Sequence, residues 1–446
     1  MDESHQPDAH QTPSAERVLA AMREPRYLAL LLFAALIGVP LTVLAFGYLQ
    51  AVEHLQHVLY ATLPETLGLH GPPAWWPLPL LTIAGVLVAL TVRYLPGHGG
   101  HEPAEGLHFG SVPVPAELPG VVLAAFASLS LGAVLGPEAP LVALGSGAAS
   151  YAVRVLKRDA DRQTIGIVGA TGGFAAISTL FGSPLIAAFL LMEIAEVGGV
   201  ALGAVLVPGL MAAGIGALVF IGLGSWTGLA TAGLVFPALP TARQPDFAQF
   251  GWAIVIGIAA AVIGAVLLRC ARHLQKPLAR RRLLLTPLAG LTVAGAAAVY
   301  VVGTGKPESD VLFSGEHGIS TLFAQHADYA VGALFALLVC KALAYTVSLA
   351  AFRGGPVFPA MYLGVAGGTL LSHLPGLPFT AAVAMGIGAM SVAILTLPLT
   401  SVLLATLLLG SSGLTVMPLV IVAVVVSRIV SVRISGRENA GAAVAA

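Results

Sequence analysis

Among side chains able to do chemistry, Glu138 stands out. It is the lone carboxylate of Leu131–Gly147, which reads LGAVLGPEAPLVALGSG, and it is bracketed by Gly136-Pro137 and Pro140. An ionisable residue inside a run that reads as bilayer-embedded is expensive and marks a functional site by default. Proline is tolerated in a first helical turn, so a helix is predicted to start near Pro140 and to run through Leu141–Val155. The free N–H groups of a helix start attract anions, and Glu138 is itself an anion beside them. The blander alternative is a simple cap, which Ser, Thr or Asn would provide at lower cost in apolar surroundings. The chemistry offered is competition between a tethered carboxylate and a free anion for the same donors.

His98, His101, Glu102, Glu105 and His108 form a second polar group. Gly97, Gly99, Gly100 and Pro103 make this stretch a loop, whereas zinc ligands need rigid placement. No metal and no cofactor are expected, and the histidines read as solvated groups titrating in a vestibule. A membrane-embedded enzyme would need a nucleophile–base pair or facing ligands. Neither H-E-x-x-H nor G-x-S-x-G occurs, and apart from Glu138 and Glu193 ionisable groups in the apolar runs look nearly absent.

The elements that must position Glu138 follow from composition. The 446 residues are 57% hydrophobic and 9% charged with mean hydropathy +0.92, against roughly 25% charged in soluble domains. This is the profile of an all-α integral membrane protein. Lys+Arg and Asp+Glu are both 21, so net charge points to no nucleic-acid partner. The two cysteines suggest no disulfide framework. The residues before Tyr27 lack an apolar signal core and read as a tail, 1–25.

Apolar segments are expected at Tyr27–Gln50, Trp76–Leu95, Leu118–Leu135, Leu141–Val155, Ile165–Phe181, Leu185–Ile194 and Gly199–Leu223. After a polar link near Thr241–Gln249 come Trp252–Leu268, Leu283–Val302, Tyr329–Phe352, Phe358–Leu371, Phe379–Leu397, Thr400–Leu409 and Leu414–Ile434. Several are shorter than the roughly 20 residues that span a bilayer. Irregular backbone at membrane depth is tolerated where it is buried in protein or lines a cavity, which favours a channel or transporter.

The chain also repeats itself. His54-Leu55-Gln56 returns as His273-Leu274-Gln275, and Gly136-Pro137-Glu138-Ala139-Pro140 returns as Gly355-Pro356-Val357-Phe358-Pro359, both at an offset of 219. Gly145 and Gly364 follow the two prolines at equal distance. The basic residues cluster at Arg17–Arg26, Arg154–Arg162, Arg269–Arg282 and Arg428–Arg437, which should lie on the cytoplasmic side. The cluster precedes the first helix of one half and follows its counterpart in the other, so the halves enter the membrane from opposite sides. The expected architecture is two inverted-topology repeats of broken and tilted helices, 26–240 and 241–434. A tail, 435–446, leaves no room for a soluble regulatory domain. In such a plan two broken-helix N-termini meet near the midplane and form an anion site without a basic side chain.

These motifs resemble the CLC family of chloride channels and chloride–proton antiporters. Gly136–Pro140 is similar to the family's G-[KR]-E-G-P signature, and Gly355–Pro359 to G-x-F-x-P. Phe181-Gly182-Ser183-Pro184-Leu185 with Leu191-Met192-Glu193 resembles the helix carrying the proton-side glutamate, and Leu397–Thr400 the start of a late helix. The resemblance implies a homodimer in the plasma membrane, with both termini cytoplasmic and one pathway for a small anion per subunit. It makes Glu138 the gate and Glu193 a proton-pathway candidate. The anion-binding stretch becomes Gly97, His98, Gly99, Gly100, Gly136, Glu138, Ala139, Gly355, Val357 and Phe358.

The departures are specific. The family's G-S-G-I-P serine is replaced by His98 or Gly100, depending on register, and Pro137 and Pro356 lack an N–H. Ile194 stands where antiporters carry the internal proton glutamate. Uncoupled conduction is therefore expected ahead of antiport, with a cation carrier using Glu138 as ligand a further alternative.

Overall fold

The computed structural model describes residues 22–106, 114–156, 159–194, 200–228 and 244–445. His108, Glu196 and the expected 240/241 boundary lie outside them. The first half contains α1 (Pro25–His57), extended through a π turn at Val58–Thr62 and a last turn at Leu63–Thr66. It continues with α2 (Pro77–Tyr94), α3 (Leu118–Ser130), α4 (Glu138–Leu156), α5 (Arg162–Phe181), α6 (Pro184–Ile194) and α7 (Val200–Thr227). The second half contains α8 (Phe247–Arg280), α9 (Arg282–Thr304), α10 (Glu316–Ala324), α11 (Val331–Ala351), α12 (Val357–Leu371), α13 (Phe379–Leu395), α14 (Pro398–Leu408) and α15 (Gly410–Ala445). Each expected apolar segment contains a helix, although the one expected over Leu118–Leu135 ends at Ser130 and leaves Leu131–Leu135 irregular. The polar-headed α10 was not foreseen, and α15 runs on as one helix past the expected end at Ile434. Helices α4 and α12 begin at Glu138 and Val357, two residues before Pro140 and Pro359, so Glu138 belongs to a first turn.

Among the described residues, nine helices are long and apolar enough to cross a membrane, while α3, α6, α12, α13 and α14 are shorter apolar helices. The outer surface is apolar: Leu28, Leu32 and Leu36, one turn apart on α1, are 64–66% exposed. Such a stripe costs little against lipid tails and much against water.

The repeat is visible in paired details. Helices α6 and α14 each span 11 residues, begin at proline, and follow a left-handed residue, Gly182 (φ 60°) and Thr396 (φ 63°). Helix α4 crosses α5 where Gly145 meets the Gly172 carbonyl, and α12 crosses α13 where Gly364 meets the Gly386 carbonyl. A Cβ at any of these four glycines would collide with opposing backbone. Small residues are what let membrane helices approach this closely. The halves dock at their breaks: Gly136 N–H donates to the Gly355 carbonyl (2.7 Å) and Gly355 N–H to the Gly136 carbonyl (2.6 Å). Flanking this pair, Val134 N–H donates to Ser348 Oγ (3.1 Å) and Arg353 N–H to Ser128 Oγ (3.0 Å). Residues 134 and 353 are again 219 apart, so each half offers a serine to the same backbone position of the other.

Candidate anion pathway

Glu138 is fully buried. Its Oε1 accepts a hydrogen bond from Phe358 N–H (2.9 Å), and the amides of Val357 and of Glu138 itself also bear on the carboxylate. The donors thus come mainly from the start of α12, in the other half. Oε2 is buried with no hydrogen-bond partner among the described residues and packs against Gly355, where an added Cβ would collide with it. Pro356 leaves Val357 and Phe358 as the first amides of α12, and Tyr345 Oη fixes the Pro356 carbonyl (2.7 Å). The rings of Phe358 and Phe181 stack 5.5 Å apart. A carboxylate held by helix-start amides occupies the kind of place a small anion would take.

Two of the expected donors are excluded. The amides of Gly136 and Gly355 are spent on each other, because reciprocal bonding is what joins the halves. Ala139 lies half-buried in the first turn of α4.

From Pro137 a cavity leads past Glu316 and His317 to Glu53 at the far end of α1. His317 Nε2 lies 3.6 Å from Glu53 Oε1. Burial, then the charges of Glu138 and Glu53, push the Glu316 carboxyl up to about 8. No motif announced Glu316; the polar start of α10 after Ser314-Gly315 was the available signal.

The Gly97–Gly100 loop serves a second cleft on the side where α8 ends. Gly97, His98, Gly99 and Gly100 all have positive φ, which explains the glycines. His98 is exposed, and its Nδ1 lies 3.2 Å from the Val92 carbonyl. Gly99 is buried against Arg353. A buried basic side chain therefore stands beside this loop, at a cleft separate from the cavity that reaches Pro137. The Arg353 side chain is only 4% exposed, two residues before Gly355, and the sequence reading missed it because it pairs with a residue 251 positions away.

Glu193 takes three hydrogen bonds, from Leu399 N–H (2.8 Å), Thr400 N–H (2.7 Å) and Thr400 Oγ1 (2.6 Å). It caps α14 across the halves, beside a cleft that also holds Ile194, Arg272 and Arg428. Interior ionisable groups are also more numerous than expected. Lys341, fully buried in α11, donates to the carbonyls of Leu312 (3.0 Å) and Phe313 (3.3 Å) and sits 4.3 Å from the Tyr362 ring centre. Asp310 accepts from Tyr300 and Tyr329, each at 2.9 Å. Together these bonds fix the segment that carries α10.

An all-helical bundle of two inverted halves, broken where they dock around a buried carboxylate, defines a membrane transport protein. A family model described as voltage gated chloride channel matches residues 80–432. The chain belongs to this family, the CLC chloride channels and transporters. The Escherichia coli (strain 55989 / EAEC) protein YfeO, named as a candidate ion-transport protein, is 31% identical over 379 residues, covering 82% of this chain and 85% of YfeO. YfeO of Shigella boydii serotype 4 matches to the same extent. Two solved structures share the fold. A slow cyanobacterial Cl−/H+ antiporter has TM-score 0.74 at 20% identity, covering 93% of this chain and 96% of its own. A CLC-type fluoride/proton antiporter has TM-score 0.66 at 19% identity, covering 91% and 95%.

Proposed function

We propose that the protein carries a small anion, chloride or another halide-like anion, through a pathway in each subunit gated by Glu138. The observation that carries this reading is the Glu138 carboxylate on the Phe358 amide, with one oxygen buried and unpartnered. Protonation or displacement of that carboxylate frees the α12 amides for a passing anion. Gating is then competition for one set of donors. A cation carrier fits less well, since a bound cation needs oxygen ligands where Glu138 meets N–H groups.

Uncoupled conduction ranks first. Ile194 cannot relay a proton, and the Glu193 carboxylate is engaged by three donors at α14. Proton-coupled antiport is the second reading, supported by the titratable Glu53, His317 and Glu316 along the cavity to Pro137. Two subunits in the plasma membrane with both termini cytoplasmic complete the proposal, on the family resemblance and the basic clusters. The deciding experiment is flux from liposomes holding purified protein, under imposed halide and pH gradients. Uncoupled conduction is expected to collapse a halide gradient without moving protons. Stoichiometric uphill proton movement driven by chloride, lost in Glu138→Gln, would establish antiport instead. A reversal potential set by a cation gradient would overturn both.

A further inference from the structure

The second cleft holds a buried charge that Glu138 does not explain. Arg353 occupies the position that is Val134 in the other half, so the repeat is broken here by a cation. Among the described residues its Nε is buried without a partner beside Gly99, and its Nη1 reaches only the Phe352 carbonyl (3.4 Å). Its ion-pair partner among the described residues is Glu102, whose Oε1 accepts from Arg353 Nη2 (3.2 Å) and from Arg282 Nη2 (3.1 Å). The three come from distant places: the residue before the Pro103–Glu105 turn, the start of α9, and the break before α12. Arg93 and Arg280 stand at the same cleft, so the mouth is basic with a single acid bridging its two best-placed cations.

We propose that Arg353 and Arg282 form a second anion site at this mouth, and that Glu102 is a tethered carboxylate latch occupying it until a small inorganic anion displaces the acid. The inference rests on the anion-transport reading above and extends it to the opposite end of the pathway from Glu316. Paired guanidinium groups bind a carboxylate or a halide through the same donors. Alone they would hold an anion too tightly for conduction, and an internal competitor weakens that hold. Glu102 is the member of the trio suited to move: its side chain is 26% exposed and reaches the arginines from the extended residue before the Pro103–Glu105 turn, whereas Arg353 is fixed by burial.

A latch closed about nine-tenths of the time weakens apparent affinity about tenfold. Glu102→Gln should therefore lower the half-saturating chloride concentration from this side by about tenfold in liposome flux. Adding Arg282→Gln should abolish that gain. Glu105→Gln is the control, because Glu105 is exposed at the same cleft and bonds neither arginine, so it alters only the general field. Glu102→Asp, which keeps the charge but shortens the reach, gives the same direction of change if the Gln variant does not fold. Half-saturation unchanged or raised in whichever Glu102 variant folds, or lowered equally by Glu105→Gln, overturns the latch. Absence of any anion flux from wild-type protein would instead overturn the transport reading.

Discussion

At the residue scale, the central fact is a carboxylate that is buried but incompletely satisfied. A buried oxygen left without a donor costs about 1–3 kcal/mol, which offsets part of the hold that the Phe358 amide has on Glu138. Glu138→Gln removes the charge that competes with the anion. Anion flux in liposomes is expected to rise and to lose most of its pH dependence. Unchanged flux in this variant would remove Glu138 from the gate. Glu316 supplies a separate pH signature. An acid held up to about 8 is largely neutral at pH 7 and becomes charged as pH rises through that value. Its charge then repels an anion approaching Pro137. Glu316→Gln should behave like wild type near pH 7, and its flux relative to wild type should climb above pH 8. A ratio that stays flat from pH 6 to 9 would show that Glu316 does not face the anion.

At the element scale, the breaks are built by small residues at helix crossings. Gly364 against Gly386 and Gly145 against Gly172 set how closely α12 and α4 approach their neighbours, and hence where Val357 and Glu138 sit. Overpacking a tight contact costs about 1–3 kcal/mol. Gly364→Val should lower the thermal midpoint of the detergent-solubilised protein and reduce flux. Gly367→Ala, one turn along the same helix with nothing within 4 Å of an added Cβ, should leave the midpoint unchanged or raised. Equal loss in the two variants would mean that the Gly364–Gly386 crossing does not set the stability.

At the scale of the whole molecule, the inverted repeat decides which faces are wet. Helix α1 carries Glu53, in its last turns, to the cavity that leads to Pro137, whereas α8 ends at Arg280 in the cleft with Arg353. Equivalent helices thus deliver acid to one end and base to the other. With native Cys270 and Cys340 replaced by serine, single cysteines placed in 154–162 and in 269–282 should react with a membrane-impermeant thiol reagent from the same side. A cysteine at Glu53 should react from the other side. Labelling of the two basic segments from opposite sides would refute the topology.

The amino-acid sequence by itself determined the solvent, the segments and the symmetry. Those depend on short-range properties: the apolar composition of each run, proline at helix starts, and an identical offset between two motifs. It also singled out Glu138, because a lone charge in an apolar run is visible without a partner. Tertiary structure alone decided which amides are free. Gly136 and Gly355 bond each other, and Phe358, 220 residues from Glu138, provides the donor. The local sequence likewise gave no sign that Lys341 is satisfied by carbonyls of another segment, or that Arg353 lies behind Gly99 with Glu102 as counter-ion. Hydrogen-bond partners across a docking surface depend on where two halves meet, and residue spacing along either half carries no record of that.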